Sequence, residues 1–481
     1  MKALLCAVLT LILTVPIQAQ GKPASLTITV QPGARQTFAG LGASLFRFTP
    51  SADYNRQLTR AQQRALPRLL WHDARFRSVR LWIHPDDFLP APDARNIAPY
   101  LDGWMNTHKL PDTLAAGATR LNLAPDNIPA AMGDGHGLIR DTEIANYAAL
   151  LAGFVRVFRD QTGILINYTA VLNEPNDRPV KLSDSQWPVM IKALRRALDV
   201  RGLTAVRIIA PESANCGADA YAVVDSIKAD AEAWRDLKGV ATHSYNNAAR
   251  EEMAQRAVGK EYWITEAGGI TDADEDAHDG LQAASIASRF LNDVNHRVTD
   301  WQFFIGYEQA DPHGNTGRII KYDPAPYKPT ILQKYYYLKQ LAETFDVGAA
   351  FRHSRSSLDG EMNYTYGKKP RVNAAAARNP DGTWGIGLSN YTSPTFRDAD
   401  DPHDFALHNS GYAAQAFQVT VRVPELAKRG AVRFVVRRST ATVGDRPGGF
   451  VLMHNGVVTV PLLPLELITL RSIPVTPPLS P

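Results

Sequence analysis

The chain has 481 residues, of which 45% are hydrophobic and 21% charged, and its formal net charge at pH 7 is +4. This length favours two domains, and the composition is that of an ordinary globular protein. Lysine and arginine form no block of the kind that contacts phosphates, so the small positive charge argues against a nucleic-acid-binding protein.

Residues 1–19 have the pattern of a secretory signal peptide. Lys2 supplies a positive start, residues 3–17 are almost wholly apolar, and small residues end the segment at Ala19. We predict cleavage near Ala19 and a secreted or periplasmic protein. The apolar run is shorter than the roughly 20 residues that a membrane span requires, and no later run approaches that length, so no membrane association is expected.

Between residues 37 and 345, β-rich runs alternate with amphipathic stretches. The predicted strands are Thr37–Leu45, Ser78–Ile83, Thr119–Ala124, Leu165–Leu172, Val206–Pro211, Gly239–His243, Tyr262–Thr265 and Trp301–Tyr307. Eight strands, each followed by a helical segment, predict a (β/α)8 TIM barrel of the α/β class. A doubly wound sheet is the alternative, but its Gly-x-Gly-x-x-Gly turn is missing after the first strand.

After residue 345 the pattern changes to short alternating runs separated by turn clusters. This pattern is typical of an antiparallel β-sandwich, which we predict over residues 346–473, followed by a flexible tail at 474–481. Residues 20–36 contain another alternating run ahead of the first barrel strand. We expect that run to cross over and join the sandwich, which would make the side domain discontinuous.

A long insertion, from residue 85 to about residue 114, follows the second predicted strand and is rich in Pro, Asp and Asn. Long loops in compact domains are usually functional or disordered. At the C-terminal face of the barrel, this insertion would form one wall of a cleft.

Two glutamates stand where predicted strands end. Glu174, within Asn173-Glu-Pro175, follows the fourth strand, and Glu266, within Trp263-Ile-Thr-Glu, follows the seventh. The loops at the C-terminal ends of the strands build the active site of such barrels. Because the barrel interior is narrow, carboxylates reaching across it are expected to approach to about 5–5.5 Å, the spacing of a retaining glycosidase. A loop or capping acid is the alternative for each.

These two segments resemble the clan A glycoside hydrolases, and further motifs are similar to glycoside hydrolase family 30. The resemblance covers nearly the whole mature chain, including the order of barrel and side domain. The further motifs are Phe38-Ala-Gly-Leu-Gly42 on the first strand, Val79-Arg80 and then Asp87-Phe88 on and after the second, and Thr242-His-Ser-Tyr245 on the sixth.

Carried over residue by residue, the resemblance implies that Glu174 is the acid/base and Glu266 the nucleophile. Arg80 would neutralise and orient the nucleophile, and Tyr245 would donate a hydrogen bond to it. An ionised nucleophile requires such donors. A core ion pair is the alternative for Arg80.

The resemblance also implies sugar contacts. Asn173 would hold the sugar 2-hydroxyl and Asp87 another hydroxyl, while His243 would either contact the sugar or be a packed histidine. Two positions depart from the family pattern. Asn127 lies in a polar segment where the family carries a tryptophan-rich one, and Tyr307 stands where clan members commonly carry tryptophan. Both would surround the sugar at the cleaved bond.

Together the motifs predict a secreted retaining glycoside hydrolase that cleaves β-glycosidic bonds of an oligo- or polysaccharide by double displacement, with no cofactor and no metal. The alternatives are an α-L-arabinofuranosidase or β-xylosidase of the same clan, or a non-catalytic carbohydrate-binding barrel. The motifs leave open the sugar, the linkage, endo or exo action and the oligomeric state.

Overall fold

The computed structural model describes residues 22–45, 57–245, 247–268, 279–310, 317–364, 369–393 and 411–474. The predicted signal peptide and nearly all of the predicted tail lie outside these residues. Within the described ranges, no helix is both long and apolar enough to cross a membrane.

The strands of the described residues are numbered in chain order. They are β1 Ala24–Val30, β2 Gln36–Thr37, β3 Gly40–Ser44, β4 Ser78–Ile83, β5 Arg120–Pro125, β6 Tyr168–Ala170, β7 Arg207–Ser213, β8 Leu237–His243, β9 Glu261–Glu266, β10 Asp300–Phe303, β11 Ile305–Gln309, β12 Arg318–Pro324, β13 Tyr327–Ile331, β14 Ala350–Arg352, β15 Ser354–Ser356, β16 Val372–Arg378, β17 Trp384–Asn390, β18 Phe417–Arg422, β19 Ala431–Ser439, β20 Arg446–His454, β21 Val457–Leu462 and β22 Leu467–Ser472.

The α-helices are numbered in the same way. They are α1 Arg60–Pro67, α2 Ala98–Leu101, α3 Lys109–Ala115, α4 Ile144–Thr162, α5 Gln186–Asp199, α6 Ala218–Ala229, α7 Ala231–Asp236, α8 Glu251–Arg256, α9 Asp279–Asn295 and α10 Gln333–Thr344.

Eight parallel strands close into a barrel in the order β10-β3-β4-β5-β6-β7-β8-β9. Because such strands are covered on both faces, they are buried along nearly their whole length, as in β4. Along β4 the apolar side chains of Val79, Leu81 and Ile83 belong to the main core. The intervening Arg80 is hydrogen-bonded to residues of other barrel strands. The closed barrel confirms the predicted fold class.

Strands β1, β2 and β14–β22 form an eleven-stranded sheet, in the order β15-β1-β18-β21-β20-β19-β22-β17-β16-β14-β2. This sheet has an apolar core of its own, separate from the barrel core. The N-terminal strand β1 lies inside the sheet, between β15 and β18. Its pairing with β18 is parallel, with Leu26 opposite Val419, whereas the other pairings in the sheet are antiparallel.

The last predicted strand, Trp301–Tyr307, is wrong as a single element. The barrel strand β10 ends at Phe303, and β11 begins at Ile305 in a separate sheet with β12 and β13. The chain changes partners at this point. The amide of Phe304 donates to the carbonyl of Ala267 at 2.8 Å, and the amide of Ile305 donates to the carbonyl of Gly317 at 3.0 Å.

The insertion after β4 contains α2 and most of α3 and is attached to the barrel by aromatic packing. The rings of Phe88, Tyr100 and Trp104 lie 4.9, 5.8 and 6.0 Å from the ring of Phe154 on α4. All four side chains are buried. This insertion is therefore part of the packed domain.

Two phenylalanines on the paired strands β19 and β20 allow a test of how much the apolar core of the side domain contributes to stability. Phe434 on β19 is 0% exposed, and Phe450 on the neighbouring β20 is 56% exposed. We expect Phe434→Ala to lower the free energy of unfolding by about 3–5 kcal/mol, because it removes a buried ring and leaves a cavity. Phe450→Ala should cost about 1 kcal/mol or less, chiefly its contact with the guanidinium of Arg433. Urea unfolding followed by circular dichroism measures both, and equal losses would contradict this account.

Candidate active site

Side chains from several barrel strands converge at the C-terminal mouth. His243 and Glu266 end β8 and β9, Glu174 lies just beyond β6, and Tyr245 lies just beyond β8. One carboxylate oxygen of Glu174, one of Glu266 and a ring nitrogen of His243 all lie within 4.8 Å of one another. The barrel therefore brings together two glutamates that are 92 residues apart in the chain.

Both oxygens of the Glu266 carboxylate have donors. The guanidinium of Arg80 hydrogen-bonds Oε1, and the hydroxyl of Tyr245 donates to Oε2 at 2.7 Å. Nδ1 of His243 lies 3.7 Å from the same Oε2. The Glu266 side chain is only 3% exposed. These contacts hold the carboxylate in one orientation and favour its ionised form.

Arg80 is the centre of the network. Its Nη2 donates to Oε2 of Glu212 and to Oδ1 of Asn173, each at 2.8 Å, and its guanidinium lies 4.3 Å from the ring of Trp82. Burial alone would lower the pKa of Arg80, but Glu212 and Glu266 outweigh it and raise the pKa. The guanidinium therefore stays charged in the barrel interior and orients Asn173 and both carboxylates.

Glu174 is less enclosed than Glu266, with a side chain 22% exposed. Its Oε1 lies 3.0 Å from Nδ1 of His243, and its Oε2 lies 3.7 Å from the guanidinium of Arg178. Arg178 also bonds Oδ1 of Asp126 at 2.9 Å and the backbone carbonyl of Asn173 at 3.0 Å. The loop that carries Glu174 is thereby tied to the loop after β5.

The backbone around these carboxylates adopts unusual conformations. Glu174 has φ of 43° and Glu212 has φ of 62°, in the left-handed region that few non-glycine residues adopt. The two residues are joined directly, because the amide of Glu174 donates to the carbonyl of Glu212 at 3.0 Å. Residues held in this way cluster at functional sites, where surrounding contacts maintain them.

The three titratable groups at the mouth influence one another. Burial raises the pKa of Glu266 and outweighs the opposing effects of His243 and Arg80. Burial would also raise the pKa of Glu174, but its bond to His243 and the charges of His243 and Arg178 lower it. Burial would lower the pKa of His243, yet Glu266 and Glu174 raise it. Without substrate, these shifts favour a proton on His243 rather than on Glu174.

The structure brings together six of the nine residues expected at the site: Arg80, Asn173, Glu174, His243, Tyr245 and Glu266. Asn173 uses Oδ1 for Arg80, and its buried Nδ2 has no hydrogen-bond partner among the described residues. This amide is therefore available to donate to a bound molecule.

The described contacts of the other three expected residues are with neighbours outside this network. Asp87 is exposed beyond β4 and accepts a bond from Tyr100 at 2.7 Å, and Asn127 hydrogen-bonds the carboxylate of Asp86 in the same insertion. Tyr307 is fully buried in the main apolar core, with its ring 6.4 Å from that of Trp71. The expectation that Tyr307 surrounds the sugar does not agree with this burial, which follows from the passage of the chain into β11 after β10 ends.

Glu212 is the main site residue that the sequence analysis missed. Its carboxylate is fully buried and bonded to Arg80. The predicted fifth strand ended at Pro211, one residue before it, and no motif marks the position. An acidic residue directly after an apolar strand was the available signal.

The cluster of Glu174, His243 and Glu266 has the atom types of a metal site. However, the guanidinium of Arg80 already hydrogen-bonds one oxygen of Glu266. A fixed positive charge in direct contact with a ligand opposes cation binding. We therefore interpret the cluster as an acid–base group.

Residues 118–324 match the model of glycosyl hydrolase family 59. This region covers less than half of the chain and includes both Glu174 and Glu266. No curated protein matches the chain in sequence.

Solved structures resemble the chain over nearly its whole length. The catalytic domain of the GH30 xylanase C from Talaromyces cellulolyticus is 16% identical, with 93% of this chain and 100% of that chain covered and a TM-score of 0.68. A family 30 subfamily 8 xylanase from Clostridium acetobutylicum is 17% identical, with 93% and 99% covered and a TM-score of 0.64. The GH51 arabinofuranosidase from Xanthomonas axonopodis pv. citri is 14% identical, with 93% and 100% covered and a TM-score of 0.57. At these identities the likeness shows that the fold is shared with glycoside hydrolases.

Proposed function

We propose that this protein is a retaining glycoside hydrolase that cleaves a β-glycosidic bond of an oligo- or polysaccharide. The observation that carries the proposal is the approach of Glu174 and Glu266 to within 4.8 Å, oxygen to oxygen, across the barrel mouth. Retaining enzymes hold their two carboxyl groups about 5–5.5 Å apart, whereas inverting enzymes leave about 6.5–9.5 Å for a water molecule. The short separation supports double displacement.

In the first step, an oxygen of Glu266 attacks the anomeric carbon, and the bond from that carbon to the leaving oxygen breaks. Glu174 gives its proton to the leaving oxygen, so the departing group is released as an alcohol. In the second step, Glu174 takes a proton from water, which attacks the glycosyl ester and frees Glu266. The free amide of Asn173 would donate to a sugar hydroxyl beside the reacting carbon.

The first step requires a protonated Glu174, which its low pKa in the free site opposes. The hydrogen bond from His243 Nδ1 to Glu174 Oε1 offers a route for that proton. When a sugar displaces water from the half-open side of Glu174, the carboxylate loses hydration and its pKa rises. Substrate binding therefore favours transfer of the proton from His243 to Glu174.

The proposal is tested with a panel of chromogenic β-glycosides, α-L-arabinofuranosides and β-linked glycans. The first sugar product is followed by proton NMR before mutarotation. We expect hydrolysis of at least one substrate, with the product keeping the anomeric configuration of that substrate. An inverted product would overturn the retaining mechanism, and no turnover on any substrate would favour a non-catalytic carbohydrate-binding barrel. Preference for the arabinofuranosides would identify the sibling activity within the clan.

The pH dependence gives a sharper test of the site. Replacing His243 by glutamine removes a positive charge that lowers the pKa of both Glu174 and Glu266. Both pKa values then rise. The acid limb of kcat/KM reports ionisation of Glu266, and the alkaline limb reports loss of the proton that His243 supplies to Glu174. We therefore expect the acid limb to move to higher pH and the alkaline limb to lower pH, because the proton is then held by a carboxyl instead of an imidazole whose pKa is raised.

Tyr245→Phe is the matched control for this profile. The Tyr245 hydroxyl bonds Glu266 and lowers the pKa of that carboxyl. Its removal should move the acid limb alone to higher pH. If His243→Gln leaves both limbs in place, His243 does not set the ionisation of the pair.

We also propose that the enzyme acts outside the cytoplasm. Lys2, the apolar run over residues 3–17 and the small residues ending at Ala19 support export through a cleaved signal peptide. The N-terminal sequence of the secreted protein tests this, and we expect it to begin at Gln20.

A further inference from the structure

A second group of potential ligands lies at the opposite end of the barrel from the active site. His296 is in the turn between α9 and β10, His353 lies between β14 and β15, and Glu361 follows β15. One ligand atom from each of the three residues lies within 4.8 Å of the other two. Because His296 precedes a barrel strand, the group lies at the N-terminal end of the barrel, where it meets the side domain.

An oxygen lies beside Nδ1 of each histidine ring. Nδ1 of His296 lies 2.8 Å from the backbone carbonyl of Asn292, and Nδ1 of His353 lies 3.2 Å from Oε1 of Gln31. A backbone carbonyl only accepts, so Nδ1 of His296 carries the proton and Nε2 of that ring, when neutral, carries a lone pair. Metal-binding histidines are commonly oriented in this way by an acceptor on the second nitrogen.

One buried nitrogen of the group has no hydrogen-bond partner in the part of the chain that the structure describes. It is Nε2 of His296, a completely buried residue, and it lies within 4.8 Å of ligand atoms of His353 and Glu361. Nε2 of His353 and Oε2 of Glu361 are 2.6 Å apart, a contact that requires a proton between them. A cation bound by both atoms would take the place of that proton.

Two arginines beside the group are paired with carboxylates. Arg35 donates to both oxygens of Glu251, at 2.7 and 2.8 Å. Arg355 lies 2.7 Å from Oε1 of Glu361, which leaves Oε2 to face the histidines. The side chain of Arg355 is 54% exposed, so solvent screens its charge, whereas Arg80 at the active site is fully buried.

We propose that Nε2 of His296, Nε2 of His353 and Oε2 of Glu361 bind one Zn²⁺ ion, with water as the fourth ligand, and that the ion releases the proton shared by His353 and Glu361. Two imidazoles and one carboxylate are a ligand set that zinc uses. Zinc bonds of about 2.0–2.1 Å place tetrahedral ligands about 3.3 Å apart, which lies within the span of the group once the 2.6 Å contact opens slightly. The ion would join the barrel to the β14–β15 segment, far from the catalytic glutamates.

The test uses the full protein after treatment with EDTA and removal of the chelator. Zinc is titrated against a competing chromophoric chelator, and thermal melting is followed with and without zinc. We expect one equivalent of bound zinc and a higher melting temperature with the metal. Replacing zinc by Co²⁺ should give the visible absorption of a tetrahedral site.

Glu361→Gln and His353→Gln are the informative variants, because these side chains are partly exposed, at 30% and 14%. Each should weaken zinc binding at least about tenfold and abolish the rise in melting temperature. Their melting in EDTA should match that of the wild type, which separates metal loss from misfolding. His72→Gln is the control, because it removes an exposed histidine that pairs only with Asp73, at 2.7 Å.

The control should bind zinc as the wild type does. Wild-type protein with less than one equivalent of zinc, or equal affinity in the wild type and both ligand variants, would overturn the proposal. None of these measurements depends on glycosidase activity, so their outcome is independent of the proposed function.

Discussion

Replacing Glu266 by glutamine is expected to lower kcat by about 10⁴–10⁶-fold while the protein remains folded, as for loss of other covalent nucleophiles. The amide of glutamine does not form the glycosyl ester that double displacement requires. It keeps the shape of the carboxylate: its amide oxygen can still accept from Arg80, and its NH2 group can donate to the hydroxyl oxygen of Tyr245, the two groups that now hold Glu266 in place. Arg80 also keeps Glu212 as a charged partner, so we expect only a small change in melting temperature.

Glu212→Gln is the matched control. Glu212 is also a fully buried carboxylate bonded to Arg80. Its backbone carbonyl accepts from the amide of Glu174, but no described hydrogen bond or ion pair joins its carboxylate to the side chains of His243 or Glu174. It acts through Arg80, so its loss should reduce kcat far less than the loss of Glu266. The assignment fails if Glu212→Gln is inactive while Glu266→Gln keeps activity.

A covalent label identifies the nucleophile directly. A 2-deoxy-2-fluoro glycoside of the preferred sugar, carrying a good leaving group, should accumulate as an ester because fluorine slows both steps. Peptide mass spectrometry of the wild type should find the label on Glu266. A label on Glu212 would overturn the proposed role of Glu266.

The barrel could be predicted from the sequence because its signals are local. The bounds of β4, Ser78–Ile83, were predicted correctly, because the apolar run ends shortly before the proline at position 85. The division of Trp301–Tyr307 into β10 and β11 could not be predicted in the same way. Residues 301–307 form one continuous β-rich pattern, and only the bonds of Phe304 and Ile305 to distant residues divide it.

The two glutamates were predictable because each combines a residue type with a position at the end of a strand. Glu212 has the same position, but its function depends on Arg80, 132 residues earlier in the chain. Such a contact has no signature in either local sequence. The burial of Tyr307 has a related origin, because the chain passes into another sheet at β11 and the aromatic side chain packs in the core.

The proposed zinc ligands are still less visible in the sequence. His296 and His353 are 57 residues apart and come from different domains, and neither lies in a metal-binding motif. The sequence analysis therefore predicted no metal. Only the fold brings ligand atoms of His296, His353 and Glu361 within 4.8 Å of one another.

Replacing Glu174 by alanine should separate the two steps of the reaction. For substrates with poor leaving groups, we expect kcat/KM to fall by about 10²–10⁴-fold, the usual contribution of a general acid. Substrates whose leaving group departs without a proton should keep a nearly normal first step and accumulate the glycosyl ester on Glu266. The measurement is kcat/KM across aryl glycosides of increasing leaving-group pKa, where the variant should show a much steeper dependence than the wild type.

Azide then distinguishes the two glutamates by stereochemistry. In Glu174→Ala, azide enters the space of the missing carboxylate and attacks the ester on Glu266, so the glycosyl azide keeps the configuration of the substrate. In Glu266→Ala, azide replaces the nucleophile itself, and the product is inverted. The two carboxylates lie within 4.8 Å of each other at one mouth. Azide can therefore reach the anomeric carbon from either side, depending on which glutamate has been removed. Absence of azide rescue in Glu174→Ala, together with equal losses for all leaving groups, would show that Glu174 is not the acid/base.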